Sequence, residues 1–188
     1  LLQLAHTLPS EILYANYWYR SGTNATMRSH LQAIANDAIE LLPEKNSRVL
    51  DIGCNDGTLL GFYPTSFDRF GCDPSDIARE VPAPITVVNT VFPSAQLEEA
   101  GRKRKFDAIT SIAMYYDLED PVAFALAVKG LLSKDGIWIV ETSYLPLMLA
   151  QNSFDTICHE HLEYYSLAVL ENIARRAELR VFRAIVND

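Results

Sequence analysis

The run Val49-Leu50-Asp51-Ile52-Gly53-Cys54-Asn55-Asp56-Gly57-Thr58-Leu59-Leu60 passes from an apolar segment through a glycine turn into a helix start. Val49-Leu50-Asp51-Ile52 has the short, unbroken apolar character of a parallel strand buried on both faces. Gly53 and Gly57 let the backbone turn tightly and approach a ligand with no Cβ in the way. The helix that follows is expected to turn its first amide groups toward whatever binds there.

Outward from this turn, strands and helices alternate. Arg69-Phe70-Gly71-Cys72-Asp73 reads as a second strand and Ile85-Thr86-Val87-Val88 as a third. Phe106–Ile112 is the fourth and Gly136–Glu141 the fifth. Between the last two, Asp120 caps a helix that has Pro121 at its first position and ends at Ser133-Lys134-Asp135-Gly136. A later helix from about Ser166 leads to a strand-like Leu179–Val186. Upstream, Met27, Leu31, Ile34, Ala35, Ala38, Leu41 and Leu42 recur at helical spacing, with Thr23 or Asn24 as the cap and Pro43 as the stop. The expected fold is α/β, a doubly wound and mostly parallel sheet with helices on both faces and ligands at the carboxyl ends of the strands. An aromatic segment and helix (1–46) precede the α/β core (47–188), within a single domain overall.

The 188 residues are 49% hydrophobic and 21% charged, a composition that excludes disordered and collagen-like classes. No apolar run is long enough to span a bilayer, and the opening Leu1-Leu2-Gln3-Leu4-Ala5 lacks the basic flank of a secretory signal. Sixteen basic residues against 24 acidic give a net charge of -8, which argues against nucleic acid as a partner. Arg102-Lys103-Arg104-Lys105 is the one basic cluster and reads as a solvated loop. Cys54, Cys72 and Cys158 are too few and scattered for a disulfide framework or a zinc site, so reduced thiols in a cytoplasmic protein are expected.

The glycine spacing discriminates between cofactors. A dinucleotide turn is G-x-G-x-x-G, with pyrophosphate on the helix end. Here Gly53-x-x-x-Gly57, with Asn55 where a central glycine would stand, fits the acidic-x-Gly-x-Gly-x-Gly turn of S-adenosylmethionine methyltransferases better. That cofactor carries a sulfonium cation and no phosphate, so Asp51 at the strand end is compatible with it. Asp73, at the end of the second strand, is placed to accept hydrogen bonds from ribose hydroxyls, as acidic groups do in dinucleotide folds. Cofactor contacts are expected from Asp51, Gly53, Cys54, Asn55, Asp73, Pro74, Phe92 over the adenine, and Ser111. Phe92 reads equally as core filler. Tyr115 and Tyr116, after the fourth strand, read as pocket wall or as plain packing.

The chemistry is expected beyond the fifth strand, in Cys158-His159-Glu160-His161. Histidine titrates near neutrality and an adjacent carboxylate orients it or shifts its pKa. Three readings stay open: a metal pair from His159 and His161, a structural pair satisfied by hydrogen bonds, and general acid–base chemistry, which the position favours. No third metal ligand is evident. His6 and His30 have no such neighbours and read as structural or exposed.

Taken together, three stretches resemble the sugar C-methyltransferases that act on nucleotide-linked 4-keto-6-deoxy sugars. They are Tyr17-Trp18-Tyr19-Arg20-Ser21-Gly22-Thr23-Asn24-Ala25-Thr26-Met27-Arg28-Ser29-His30, the Asp51–Leu60 turn, and Glu141-Thr142-Ser143-Tyr144-Leu145 with Phe154-Asp155-Thr156-Ile157 and His159-Glu160-His161. The third is the specific one. The resemblance implies His161 as base, Glu160 as its partner, and Tyr17 or Tyr19 as the catalytic tyrosine, with Tyr19, Arg20 and His159 on the substrate side. It implies proton removal beside a ketone, attack of the enolate on the methyl of S-adenosylmethionine, and a small-molecule acceptor. The alternatives are an O- or N-methyltransferase for another small molecule, or a non-catalytic module that binds S-adenosylmethionine. The family's cysteine-rich zinc module and the portion after Leu179–Val186 are not in these residues, so a fragment or a minimal relative is expected.

Overall fold

The computed structural model describes residues 2–3, 17–43, 46–158 and 160–186. Five parallel strands form its central sheet: β2 (Arg48–Ile52), β3 (Asp68–Cys72), β4 (Thr86–Val88), β5 (Phe106–Ile112) and β6 (Leu132–Glu141), in the order β4-β3-β2-β5-β6. A separate two-stranded ribbon pairs β1 (Leu2–Gln3) antiparallel with β7 (Glu163–Tyr164). The expected doubly wound architecture is observed. After β2 the chain runs outward through β3 and β4, then crosses back to lay β5 on the other side of β2. That reversal between β2 and β5 opens the crevice in which such sheets bind ligands.

Alternation along β2 divides the core into two layers. Val49 points into a cluster with Leu31, Ala35 and Ala38 of α1 (Ala25–Glu40) and Leu59 and Leu60 of α2 (Thr58–Phe62). Leu50 and Ile52 point the other way, toward Leu97 of α3 (Ala95–Lys103), Phe124, Ala125 and Val128 of α4 (Pro121–Leu131) and Ile173 of α6 (Leu167–Arg176). Helix α1 therefore shares its core with the sheet. Its cap is Asn24, whose side chain accepts from Thr26 N, and α4 is capped by Asp120 through Val122 N and Ala123 N; such caps contribute about 1 kcal/mol each. A short α5 (Leu145–Gln151) follows β6 and buries no residue.

Two expectations change. The fifth strand of the sheet begins at Leu132, not Gly136: Leu132 pairs with Phe106 and Ile137 with Ala108, and the residues between them loop out of register. The turn chemistry of Ser133–Gly136 is real, but it sits inside the ladder. Leu179–Val186 is not a strand. Among the described residues no strand runs beside it, and an extended segment without a ladder leaves its amides to water. Phe182, Ile185 and Val186 are exposed, and Arg183 pairs with Asp37 of α1 at 3.2 Å.

Candidate active site

The turn after β2 is built by short-range bonds. Gly53 N and Cys54 N both donate to Cys72 O, and Gly57 N donates to Cys54 O. Gly53 and Gly57 hold φ of 81° and 73°, and Asn55 holds 50°. A Cβ on Gly53 would meet Met114 Cγ at 3.2 Å, so the loops after β2 and β5 are in close contact across the crevice. Cys54 is buried against Gly71, and burial pushes its thiol well above the usual range. Helix α2 has only five residues, and Asp56 accepts from both Thr58 N and Thr58 Oγ1. A carboxylate of the chain itself thus occupies the helix end that a dinucleotide turn would offer to pyrophosphate.

Asp73 lies directly after β3 and is 8% exposed. Its Oδ1 accepts from Ser75 N and Ser75 Oγ at 2.8 and 2.6 Å, and its Oδ2 accepts from Asn55 N at 2.9 Å. A carboxylate offers about four acceptor positions, so one remains on Oδ2. Asn89 Nδ2 donates to the carbonyls of Asp73 and Ser75 and pins this turn. Beneath it, Asp51 is buried and accepts from Thr110 Oγ1 at 2.6 Å. Burial pushes its carboxyl up to about 7, the Thr110 bond opposes this, and the charge of Asp73 adds to it.

The aromatic N-terminal segment is stitched onto this turn. Asn55 Nδ2 donates to Tyr19 O, Ser21 N donates to Asn55 Oδ1, and Gly22 N donates to Asp56 Oδ2, all within 3.0 Å. Tyr17 is thereby held between the two halves of the crevice. Its phenol is pushed up to about 12, first by burial and then by the charges of Glu160, Asp117 and Asp73.

On the β5–β6 side, Ala113 takes φ of 54° and its amide donates to Glu141 O, which turns the chain into Tyr115–Asp117. Tyr115 points inward and packs on Phe124, Trp138 and Tyr165. Tyr116 is half-buried at the edge of the same cluster, and its ring centroid lies 4.1 Å from that of His161. His161 Nδ1 lies 2.7 Å from Thr156 O. A carbonyl only accepts, so Nδ1 carries a proton, and in the neutral ring Nε2 is then the nitrogen with the lone pair. The orienting partner of the imidazole is therefore the Thr156 carbonyl and not Glu160. Glu160 is exposed, and its charge bears on Tyr17.

His30, which reads as isolated in sequence, has a partner: its Nε2 lies 2.6 Å from Glu141 Oε2, at the carboxyl end of β6. A separation of 111 residues hides this pair from any local pattern. Beside it, the Thr142 hydroxyl is buried without a partner.

Other expected contacts are placed away from open space or are already engaged. Phe92 belongs to the core, edge-on to Phe124 at 4.8 Å, and its exposed rim faces a groove between α3 and α4. Ser111 is fully buried and accepts from Trp138 Nε1. Pro74 is exposed after β3. The Arg20 guanidinium is held by both oxygens of Glu80, at 2.9 and 2.6 Å. His159, His6 and Tyr14 lie outside the described residues. Among the described residues no cluster of three or more metal-ligating side chains occurs, and no helix is long and apolar enough to cross a membrane.

Comparison with known proteins gives this geometry a family. The model of the methyltransferase domain family matches residues 27–184. The C-methyltransferase NovU of Streptomyces niveus is 26% identical over 186 residues, which are 96% of this chain and 44% of NovU; the chain thus spans less than half of that relative's length. Among solved structures, the methyltransferase complexed with the Trm112 activator of Haloferax volcanii superposes with a TM-score of 0.68 at 18% identity, over 86% of this chain and 74% of that one. The plantazolicin methyltransferase BpumL, solved with a desmethylplantazolicin analogue and S-adenosylhomocysteine, superposes with a TM-score of 0.61 at 15% identity, over 81% of this chain and 64% of that one. The chain belongs to the methyltransferase domain family and has the doubly wound fold of the class I S-adenosylmethionine methyltransferases.

Proposed function

We propose that this chain is an S-adenosylmethionine-dependent C-methyltransferase that methylates the carbon beside a ketone, on a nucleotide-linked deoxysugar. The proposed place of the cofactor is the crevice between β2 and β5, where such sheets bind ligands. The free acceptor position on Asp73 Oδ2 suits one ribose hydroxyl. The Gly53 position leaves no room for a side chain beside Met114. Asp56 fills the helix end, which disfavours a phosphate and is indifferent to a cofactor that has none. The buried carboxyl of Asp51, raised to about 7, supplies negative potential beneath the turn only where it is ionised, above that pH. When bound, S-adenosylmethionine supplies an electrophilic methyl group on a sulfonium.

The observation that carries the reading is the bond between His161 Nδ1 and Thr156 O. It fixes the tautomer in which Nε2 is a base, on a loop at the carboxyl edge where the acceptor would lie. Only carbon acidity demands such a base together with a donor to the developing oxyanion. His161 Nε2 removes the proton from the carbon beside the ketone, and the C–H electron pair becomes the enolate π bond, with charge on oxygen. Tyr17 stays protonated through neutral pH, since its phenol is raised to about 12, and serves as a donor there. The 26% identity to a C-methyltransferase supports the carbon acceptor.

The test is hydrogen exchange without the cofactor. In D2O, with a panel of nucleotide-linked 4-keto-6-deoxy sugars, the protein is expected to place deuterium on the carbon next to the ketone. Turnover of an oxygen or nitrogen acceptor, with no exchange on any ketone, would overturn the reading.

A further inference from the structure

We propose that Tyr116 is a second catalytic tyrosine, whose phenol donates a hydrogen bond to the oxyanion that forms as His161 takes the carbon-bound proton. This rests on the proton-abstraction reading above and gives a chemical role to a residue that the sequence leaves as pocket wall or plain packing.

Four observations converge. First, Tyr116 sits at the carboxyl end of β5, on the opposite side of the crevice from Asp73, where an acceptor has to lie. Second, its ring contacts the His161 ring at 4.1 Å with the planes tilted by 52°. With Nδ1 held by Thr156, that contact braces the imidazole from a second side and keeps the tyrosine ring next to it. Third, its neighbouring phenols are all engaged: Tyr115 Oη donates to Pro121 O, Tyr164 Oη to Thr156 O and Tyr165 Oη to Glu163 Oε2. Among the described residues the Tyr116 hydroxyl has no hydrogen-bond partner, and a half-buried hydroxyl without one is ready to receive a ligand. Fourth, burial, then the charges of Asp117, Tyr17, Glu141 and Cys158, hold its phenol well above the usual range. The group is a neutral donor across the working pH range.

The step balances within the site. His161 Nε2 gains the proton, the C–H pair moves into the new C=C bond, the carbonyl pair moves onto oxygen, and the Tyr116 hydroxyl hydrogen bonds to that oxygen without leaving. On methyl transfer the enolate π pair forms the C–C bond, the methyl–sulfur pair stays on sulfur, and the ketone is restored.

Tyr116→Phe removes only the oxygen and keeps the ring against His161, so the fold and the imidazole should persist. The experiment follows deuterium uptake without cofactor, on whichever nucleotide-linked 4-keto-6-deoxy sugar the wild type exchanges, for wild type and Tyr116→Phe. The variant is expected to exchange about 100-fold more slowly, the usual cost of one oxyanion donor. Its pH profile should keep the wild-type base limb, and calorimetric affinity for S-adenosylmethionine should be unchanged. Exchange within about twofold of wild type, or a displaced base limb, would overturn the assignment and leave Tyr116 as a prop for the imidazole. A wild type silent on every ketone would overturn the broader reading instead.

Discussion

The two banks of the crevice are made differently. On the β2–β3 bank, Asp51, Asn55 and Asp73 are buried and their polar atoms are largely satisfied, by Ser75 close by in sequence and by Tyr19, Ser21 and Thr110 from farther along the chain. On the β5–β6 bank, Tyr116, Glu141 and His161 are half-buried, and they meet partners brought from α1 and from the loop before β7. On the proposed function the first bank would be a preformed receptacle for a cofactor of fixed shape. The second would offer a phenol and an imidazole to the acceptor. Preorganised backbone suits the constant partner, and exposed side chains on loops suit the one that differs between enzymes.

That contrast can be broken in order of expected effect. His161→Ala should lower methyl transfer about 1,000-fold, within the range for loss of a general base, while affinity for S-adenosylmethionine measured by calorimetry stays at the wild-type level. Loss of both would show that the banks are not separable. Gly57→Ala should do the opposite and damage the cofactor bank. Its φ of 73° and the 2.8 Å approach of Val81 to the new Cβ predict destabilisation of about 2–3 kcal/mol, read as a lower denaturation midpoint together with weaker cofactor binding.

Asn55→Gly sharpens the comparison where the banks are joined. It keeps the left-handed backbone and deletes the bonds to Tyr19 O and Ser21 N, which should cost about 1–2 kcal/mol and quicken proteolysis between residues 17 and 22. Unchanged cleavage there would show that those bonds do not hold the segment. The smallest effect concerns Asp51. Its carboxyl, raised by burial to about 7, is largely protonated below that pH and ionised above it, and a nearby cation favours the ionised form. Affinity for S-adenosylmethionine should therefore rise by about two- to fivefold from pH 6 to pH 8. S-adenosylhomocysteine, with a neutral sulfur, should change less. Equal pH dependence for the two would separate Asp51 from the sulfonium.

The glycine turn was legible in sequence because its parts lie close along the chain: an apolar strand, two glycines that take positive φ, and an acid directly after the next strand. Strand β5 was legible in full, as a short run rich in apolar residues after a basic loop. The start of β6 was not, since Ser133–Gly136 has turn chemistry wherever it stands, and only the register with Phe106 and Ala108 shows that the ladder continues across it. Leu179–Val186 has strand composition but no neighbour to pair with among the described residues, and composition cannot supply one. On the other bank, resemblance singled out His161, Glu160 and Tyr17, but the contacts that hold the imidazole were not legible. His30 and Glu141 meet only when the chain folds, and nothing local to Tyr115 and Tyr116 shows which of them becomes fully buried and which meets His161.

Because Tyr19, Ser21 and Gly22 are fastened to Asn55 and Asp56, the aromatic arm and the glycine loop are built as one unit. Anyone transplanting the glycine loop from a related enzyme would have to keep an asparagine and an aspartate at these two places, or the arm would lose its moorings.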